Sequence, residues 1–262
     1  MKGKKGIIFG VANNRSIAWG IAKKLLDKGA DVAFSYMGGD RIRANLEKLL
    51  VDYPGCKLYE CDASDEDQIF SVAEQYKNEV GQCDFLVHAV AFADKAYLDG
   101  PFLPTPKSVF LQAMDISAYS LVSMTRAFEP LMVKGSSVLA LTYLGSEKVV
   151  QNYNVMGVAK AALESCVRYL AYDLGPKGIR VNAISAGPVN TLAARGISDF
   201  TDLLKIHRQM APLRENTIPE HVGGAGYFLL SDLSFGVTSE IMYVDGGYNT
   251  IAVGPIEAYN KD

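Results

Sequence analysis

The chain has 262 residues, of which 49% are hydrophobic and 21% are charged, and its formal net charge is −3. This length suits one large α/β domain, and the hydrophobic share excludes a globally disordered chain. The small negative charge gives no global reason to expect nucleic-acid binding. No apolar run approaches the ~20 residues that span a bilayer. We therefore expect a soluble protein that binds neither nucleic acid nor a membrane.

The cysteines and the first residues indicate a cytoplasmic location. The spacings of Cys56, Cys61, Cys83 and Cys166 match neither a zinc site nor a CxxC motif, so we expect reduced thiols and no metal. Residues 1–5 are basic but run straight into an apolar strand, without the apolar region of a signal peptide.

Short apolar runs alternate with helical patterns along the chain. Strands are predicted at 6–11, 31–36, 57–61, 85–90, 137–142, 180–184 and 241–244. Helices are predicted at 16–28, 40–50, 65–78, 107–134 and 153–174. The alternation is typical of βαβ units with right-handed crossovers. It predicts an α/β fold with a doubly wound parallel sheet of about seven strands and helices on both faces.

Residues 188–212 interrupt this alternation between the sixth strand and a later helix. A stretch of this length between elements is uncommon unless it is functional. We therefore expect a lid in this region.

Tyr153 and Lys160 are the side chains with the clearest chemical meaning. They are seven residues apart where a long helical pattern begins, so both emerge on nearly one face of the helix. A tyrosine can donate a proton or hydrogen-bond an oxyanion, and a lysine can hold a ribose or shift the pKa of a phenol. This pair therefore predicts a reductase site.

The turn after the first strand, GVANNRSIAWG at 10–20, is a candidate dinucleotide site. Small residues let the backbone approach a pyrophosphate, and the N-terminus of the next helix favours its negative charge. The turn is not a GxGxxG motif, so an ordinary strand-helix turn remains the alternative. Ser16 has a second candidate role as the N-cap of the helix.

The ends of the second, third and fourth strands carry further candidate residues, two of them for cofactor binding. Met37 stands where NAD enzymes often have an acidic residue and NADP enzymes a basic one, so we expect NADH rather than NADPH, with Met37 packing on the adenine. Asp62 can accept from the adenine amino group or start a turn. His88 lies within an apolar strand run, and we expect a satisfied core histidine rather than a catalytic one.

The fifth and sixth strands end in further candidates. Tyr143 follows the fifth strand at the edge where ligands bind, with a tyrosine packed under a loop as the alternative. The sixth strand ends in small residues, followed by Pro188 and by Thr191, whose hydroxyl is placed to bond a carboxamide. These residues predict a nicotinamide pocket.

Together these motifs resemble the bacterial, NADH-dependent enoyl-acyl carrier protein reductases of the short-chain dehydrogenase superfamily. The resemblance covers nearly the whole chain and rests on GVANNRSIAWG, TYLG at 142–145, YNVMG at 153–157 with Lys160, the stretch 180–188 and VDGG at 244–247. It implies a Rossmann-type fold and reduction of the trans-2 C=C bond of enoyl thioesters in fatty acid biosynthesis. Ordinary short-chain dehydrogenases place the tyrosine and the lysine only four residues apart.

The resemblance also implies roles for individual residues. Tyr153 would hydrogen-bond the thioester carbonyl, Lys160 would hold the nicotinamide ribose, and Tyr143 would line the acyl pocket and assist at the same carbonyl. Ala93 and Met156 would contact the substrate. The expected dinucleotide-binding residues are Gly10, Ser16, Ile17, Met37, Asp62, Ala63, Val90, Lys160, Val189, Asn190, Thr191, Leu192 and Ala193.

The implied assembly is a homotetramer of single-domain chains, residues 1–262, each with a mobile helical substrate lid at about 190–210. The substrate would be linked to acyl carrier protein. Members of the family often carry basic lid residues that meet this acidic carrier. The matching positions here are Ser198, Thr201 and Asp202, with Arg195, Lys205 and Arg208 nearby.

Two other functions are compatible with the same fold. A reductase or dehydrogenase acting on a C=O group would be favoured by a lysine at position 157, which is Gly157 here. A non-catalytic NAD(H)-sensing module is the second alternative, and the presence of Tyr143, Tyr153 and Lys160 together argues against it.

Overall fold

The computed structural model describes residues 1–191, 194 and 200–254. Its strands are β1 (Lys5–Phe9), β2 (Asp31–Tyr36), β3 (Leu58–Glu60), β4 (Cys83–His88), β5 (Met132–Thr142), β6 (Arg180–Ala186) and β7 (Ile241–Val244). They form a sheet in the order β3-β2-β1-β4-β5-β6-β7, and all neighbouring strands are parallel. The predicted α/β class with a parallel sheet is confirmed.

Helices cover both faces of this sheet. They are α1 (Ile17–Asp27), α2 (Asp40–Leu49), α3 (Glu66–Glu79), α4 (Lys107–Met114), α5 (Ser120–Phe128), α6 (Asn154–Leu174), α7 (Phe200–Met210) and α8 (Pro219–Leu230). Successive strand residues point to opposite faces. Ile7 and Phe9 therefore pack with α3, α5 and α6, whereas Ile8 packs with α1, α2 and α8. This is the predicted doubly wound, Rossmann-like arrangement.

The helix predicted at 107–134 is wrong in its last part. α5 ends at Phe128, and a short 3₁₀ turn at Glu129–Leu131 leads into β5. Pro130 has no backbone N–H with which to continue the α-helical hydrogen bonds. The chain therefore enters β5 at Met132, before the predicted start at residue 137.

β1 ends before its predicted limit because Gly10 leaves the strand with φ +99°. A Cβ at this position would lie 2.2 Å from the carbonyl oxygen of Ala89, which is closer than side chains come. Glycine therefore meets both the backbone conformation and the close approach. β4 also ends early, at His88, and the Ala89 N–H donates to Phe9 O at 3.1 Å.

The lid region contains helix α7, whose buried face carries Phe200 and His207. The predicted lid positions Arg195 and Ser198 lie outside the described residues. Within the described ranges, none of the helices has the combined length and apolar character that crossing a membrane requires.

Candidate active site

A cleft of about 450 Å³ lies where β1, β4, β5 and β6 end. The strand order reverses between β1 and β4, and ligands of doubly wound sheets bind at such a reversal, beyond the carboxyl ends of the strands. The predicted residues that line the cleft are Gly10, Ser16, Ile17, Val90, Ala93, Tyr143, Tyr153, Met156, Lys160, Val189 and Thr191. The fold thus brings together side chains from residue 10 to residue 191.

Other predicted cofactor residues lie outside this cleft. Met37 and Asp62 follow β2 and β3, so they lie further along the same edge of the sheet, with Ala63 beside Asp62. Met37 is 67% exposed. Asp62 Oδ1 accepts from the backbone N–H and the hydroxyl of Ser64, at 2.9 and 2.7 Å, which is the turn role. The cofactor roles of these residues stay predictions.

Two predicted cofactor positions, Leu192 and Ala193, lie outside the described residues, and Asn190 does not line the cleft. Thr191, directly before these two positions, takes part in two hydrogen bonds. Thr191 N–H donates to Val189 O at 2.7 Å, and Thr191 Oγ1 accepts from Ala194 N–H at 3.0 Å. The Thr191 hydroxyl also carries a proton, which it can donate to a ligand in the cleft.

Ser16 closes the turn between β1 and α1. Its Oγ accepts from the backbone N–H groups of Ala12 and Asn13, both at 3.1 Å. It stands at the N-cap position but makes no side-chain bond to the first turn of α1, so the capping role considered for it is not seen. The N–H groups at this helix start are therefore left without that partner, as an anion-binding helix terminus requires.

Tyr143 and Tyr153 form an aromatic pair in the cleft. Their ring centroids are 5.0 Å apart and their planes meet at 72°, an edge-on contact. Burial raises the pKa of both phenols well above the ordinary value. An unperturbed phenol is already protonated near neutral pH, and burial extends this to higher pH, so each hydroxyl is available as a hydrogen-bond and proton donor.

Two glycines make room for the Tyr153 ring. A Cβ on Gly145 would lie 2.5 Å from Tyr153 Cδ1, and a Cβ on Gly157 would lie 2.7 Å from Gly145 O. Both distances are shorter than real Cβ contacts. Ordinary short-chain dehydrogenases carry their lysine four residues after the tyrosine, which corresponds to position 157 here. A lysine at this position would force the Gly145 backbone away from the start of α6.

The residues on either side of Tyr153 have unusual backbone conformations. Asn152 has φ +61° and Asn154 has φ +33°. Asparagine tolerates the left-handed region better than most residues, and such strain is often found at active sites. Asn154 Nδ2 donates to Gly100 O at 3.0 Å, which ties the loop after β4 to the start of α6.

That loop is also held by a π turn at Asp115–Tyr119, between α4 and α5. Ser117 Oγ accepts from Phe92 N–H at 2.9 Å and donates to Phe92 O at 3.0 Å. Phe92 lines the cleft together with Ala93. Single π turns inside helices are frequent at functional sites, and this one positions a wall of the cleft.

Lys160 is the buried cation of the cleft, with 6% of its side chain exposed. Its Nζ donates to Leu141 O at 2.8 Å, so the ammonium is fixed at the end of β5. Burial lowers the pKa of Lys160 to about 8, and the charge of Glu164 acts in the opposite direction. The ammonium has further N–H donors for the hydroxyls of a ligand.

His88 lies beneath this site but does not line the cleft. It is fully buried, and its Nε2 is 2.7 Å from Ser120 Oγ. Burial, with the nearby charge of Lys160, lowers the pKa of His88 to about 3, so the ring is neutral. The predicted core position of His88 is seen, but Nδ1 is buried without a hydrogen-bond partner among the described residues, so the ring is only half satisfied.

Several residues of the site carry little signal in the sequence. Gly145, Phe200 and Leu203 received no individual role, although Gly145 ends the TYLG motif and the other two fall in the predicted lid. Gly145 receives the Tyr153 ring, and Phe200 and Leu203 line the cleft from α7. The amphipathic pattern of α7 at 200–210 was a usable signal for the last two. The contact of Gly145 joins a strand end to a helix start, and no local pattern reports it.

Known proteins match this chain over almost its whole length. The profile of the family described as enoyl-(acyl carrier protein) reductase matches residues 10–249. The enoyl-acyl-carrier-protein reductase (NADH) 1 of Rhizobium meliloti is 49% identical over 258 residues, which cover 98% of this chain and 94% of that protein.

Solved structures agree with this match. The crystal structure of the Anaplasma phagocytophilum enoyl-acyl carrier protein reductase in complex with NAD has a TM-score of 0.93 and 48% identity, and the match covers 97% of each chain. The Bacillus cereus reductase with NADP⁺ and indole naphthyridinone also has a TM-score of 0.93, with 46% identity and coverage of 96% of this chain and 98% of that one. The chain therefore belongs to the enoyl-acyl carrier protein reductase family.

Proposed function

We propose that this protein reduces the trans-2 C=C bond of enoyl-acyl carrier protein thioesters with NADH, in fatty acid biosynthesis. The observation that carries the proposal is the position of Tyr153 and Lys160 in one cleft, at a seven-residue spacing. Position 157, where a C=O reductase of the superfamily would carry its lysine, is closed by Gly145 O.

The cleft fits a dinucleotide. Gly10, directly after β1, lies so close to the backbone of Ala89, directly after β4, that no side chain fits between them. Ser16 holds the turn that leads into α1. The walls at 89–91 are small or apolar, which permits close approach of a ribose and a nicotinamide ring. Lys160 would hold the ribose, and Thr191 would bond the carboxamide. NADH, when bound, supplies the hydride that adds to the β-carbon of the substrate.

Tyr153 stabilises the charge that develops during reduction. Addition at the β-carbon moves negative charge to the thioester oxygen, as an enolate, and a proton from Tyr153 or water then adds at the α-carbon to give the saturated thioester. A neutral phenol that donates a hydrogen bond to this oxygen lowers the barrier, and such stabilisation is usually the largest catalytic contribution. Tyr153 is neutral at physiological pH, and burial disfavours its ionised form further, so it acts as a hydrogen-bond donor.

Tyr143 donates a second hydrogen bond to the same thioester oxygen. Its ring meets the ring of Tyr153 edge-on, so the two rings fix each other. Met156 and Ala93 line the cleft beside them and would contact the acyl chain. Phe200 and Leu203 of α7 would cover the bound chain, in keeping with the lid proposed at about 190–210.

The cofactor preference of the proposal is NADH. Position 37 carries an uncharged methionine, which neither attracts nor repels the additional phosphate of NADPH. One related reductase was solved with NAD and another with NADP⁺. Arg43 is paired with Glu47 at 3.0 Å, so its charge is partly offset. Initial rates with NADH and with NADPH test this part, and equal kcat/KM values would contradict it.

Linkage of the substrate to acyl carrier protein is part of the same proposal. On α7, Lys205 pairs with Asp202 at 2.8 Å, whereas Arg208 is exposed. A carrier protein is acidic, so we expect Arg208 to contribute to its docking. The Arg208→Ser variant should raise KM for the enoyl-carrier substrate and leave KM for the enoyl-CoA substrate unchanged. An equal effect on both substrates would argue against the docking role.

A homotetramer completes the proposal. Leu111, Tyr119, Tyr169 and Tyr172 are large exposed side chains on α4, α6 and the π turn between α4 and α5. Clusters of exposed apolar side chains of this kind mark protein interfaces. Light scattering should report a mass four times that of the chain, and Tyr172→Glu should reduce it. A monomeric parent protein would contradict this point.

The function is tested with purified protein, NADH and three thioesters. We expect rapid NADH oxidation with a trans-2-enoyl carrier thioester, slower oxidation with the enoyl-CoA, and no oxidation with an acetoacetyl thioester. Turnover of the acetoacetyl substrate alone would identify a C=O reductase. NADH binding without turnover of any thioester would identify a sensing module.

A further inference from the structure

Glu164 is a buried acidic residue with no part in the mechanism above. Only 3% of it is exposed. It lies on α6, four residues after Lys160, so the two side chains share one face of the helix. A buried carboxylate is costly unless hydrogen bonds and an opposite charge compensate for its lost hydration.

The hydrogen bond comes from Thr142, at the end of β5. Thr142 Oγ1 donates to Glu164 Oε1 at 2.6 Å, and both groups are buried. The preceding residue of β5 is Leu141, whose carbonyl oxygen accepts from Lys160 Nζ at 2.8 Å. Two adjacent residues of β5, Leu141 and Thr142, therefore each hydrogen-bond one of the two charged side chains of α6, Lys160 and Glu164.

The charged partner of Glu164 is Lys160. The two groups form no direct ion pair within 4.0 Å among the described residues, so they interact through space at longer range. Glu164 raises the pKa of Lys160, against the lowering that burial causes. Interactions at this range are effective where water is excluded.

The titratable groups on the elements packed around this pair are the neutral side chains of His88, Tyr143, Tyr153 and Tyr243, and the carboxylates of Glu147 and Asp245, which act on Tyr243. On β4, His88 has its pKa lowered to about 3 by burial and by Lys160. Beside the cleft, burial raises the pKa values of Tyr143 and Tyr153. On β7, the pKa of Tyr243 is raised by burial, by its bond to Glu147 and by Glu164. Among these neighbours, Glu164 is thus the acid that acts on the Lys160 charge.

We propose that Glu164 is a positioning residue for cofactor binding: its carboxylate, oriented by Thr142, keeps the Lys160 ammonium charged at the point where the ribose of NADH is held. The proposal rests on the cofactor-binding part of the proposed function. It also explains why a carboxylate is buried here, where an apolar side chain would otherwise suit the inner face of α6.

The test is the affinity for NADH as a function of pH, measured by the fluorescence of bound NADH. In the parent protein, binding should weaken as the pH rises through about 8, because Lys160 loses its proton there. In Glu164→Gln, which keeps an oxygen for Thr142 but removes the charge, this loss should move to lower pH by about one unit. At low pH, where Lys160 is charged in both proteins, the affinities should agree within about threefold.

Matched variants separate charge from structure. Thr142→Val keeps the carboxylate and removes its hydrogen bond, and it should shift the profile less than Glu164→Gln does. Lys160→Arg carries a group that does not titrate in this range, so its profile should be flat and insensitive to an added Glu164→Gln change. Glu164→Asp should restore part of the parent profile.

Two results would overturn the proposal. One is an unchanged pH profile in Glu164→Gln. The other is an affinity lowered equally at every pH, which would show that Glu164 only supports the fold. Because the readout is binding, it stays informative if the enoyl reduction fails: NADH binding without enoyl turnover would refute the proposed function and leave the role of Glu164 standing.

Discussion

The phenol rings of Tyr143 and Tyr153 meet edge-on, with their centroids 5.0 Å apart. One follows β5 and the other precedes α6, so the contact joins a strand end to a helix start across the cleft. Both phenols are protonated at neutral pH, and burial raises their pKa values further. Both side chains line the cleft, and each carries a hydroxyl that can donate a hydrogen bond there.

We predict that Tyr153→Phe lowers kcat and leaves the NADH affinity unchanged. Loss of one oxyanion donor costs about 10²–10³ in rate where nothing replaces it. Tyr143 is close enough to compensate in part, so we expect the lower end of this range. Steady-state kinetics on the enoyl thioester measure the effect.

The controls are the single variant Tyr143→Phe and the double variant that combines it with Tyr153→Phe. If the two hydroxyls serve one oxygen and each compensates for loss of the other, the double variant should lose more than the product of the single losses. Strictly multiplicative losses would indicate two independent roles.

We predict that Lys160→Met weakens NADH binding by about 10- to 100-fold, because a charge-assisted hydrogen bond to the ribose is lost. The variant keeps the apolar stem and removes the ammonium. Lys77→Met is the matched control, since Lys77 is an exposed lysine of α3, paired with Glu74 and absent from the cleft. Equal NADH affinity in both variants would remove Lys160 from the cofactor site.

We predict that Gly157→Ala reduces both activity and stability. The added Cβ would meet Gly145 O at 2.7 Å, and a backbone oxygen cannot swing away as a flexible side chain does. Overpacking of this kind costs about 1–3 kcal/mol. The displacement should also move Tyr153, whose ring lies against Gly145. Urea unfolding and kcat are measured on the same preparation.

The matched control is Gly224→Ala on α8. An added Cβ there meets nothing within 4 Å, and the position is exposed. Alanine is a better helix former than glycine, so this variant should gain about 0.5–1 kcal/mol with unchanged activity. A Gly157→Ala protein that behaves like Gly224→Ala would refute the proposed contact.

We predict that His88 makes the fold acid-sensitive. Its folded pKa is lowered to about 3 from the ordinary value of 6.5. Between these two pKa values the unfolded chain binds a proton and the folded chain does not, so stability falls as the pH drops through this window. The slope from one such site is at most about 1.4 kcal/mol per pH unit.

Urea midpoints at neutral and mildly acidic pH measure this dependence. His88→Gln keeps a polar group near Ser120 but does not titrate, so its stability should fall less steeply with acidification than that of the parent protein. Parallel slopes in the two proteins would show that His88 already carries its proton in the folded state.

The fold could be predicted from sequence because its signals are local. Apolar runs such as 31–36 alternate with amphipathic helices, and this pattern fixes a parallel doubly wound sheet. The error at 107–134 arose because the helical pattern continues past Phe128 into the first residues of β5. Pro130 marks the end of the helix there, and the early part of β5 pairs at Cys83 with an irregular register.

Part of the site was predictable for the same reason. Tyr153 and Lys160 are close in sequence and lie on one helix face, and Gly10 occupies a recognisable strand-helix turn. Glu164 was missed, and Gly145 was quoted in a motif without a role, because the roles of both residues depend on contacts with Thr142 and with Tyr153, across the fold. Neither residue type nor spacing reports such contacts.

The most direct test of the central claim is the fate of the hydride. The protein is incubated with a trans-2-enoyl carrier thioester and with NADH that carries deuterium at the transferable position of C4, and the product is examined by mass spectrometry and NMR. We predict a saturated acyl thioester with one deuterium on the β-carbon. A 3-hydroxyacyl product, deuterium at the α-carbon, or recovery of unreduced enoyl thioester would contradict the account.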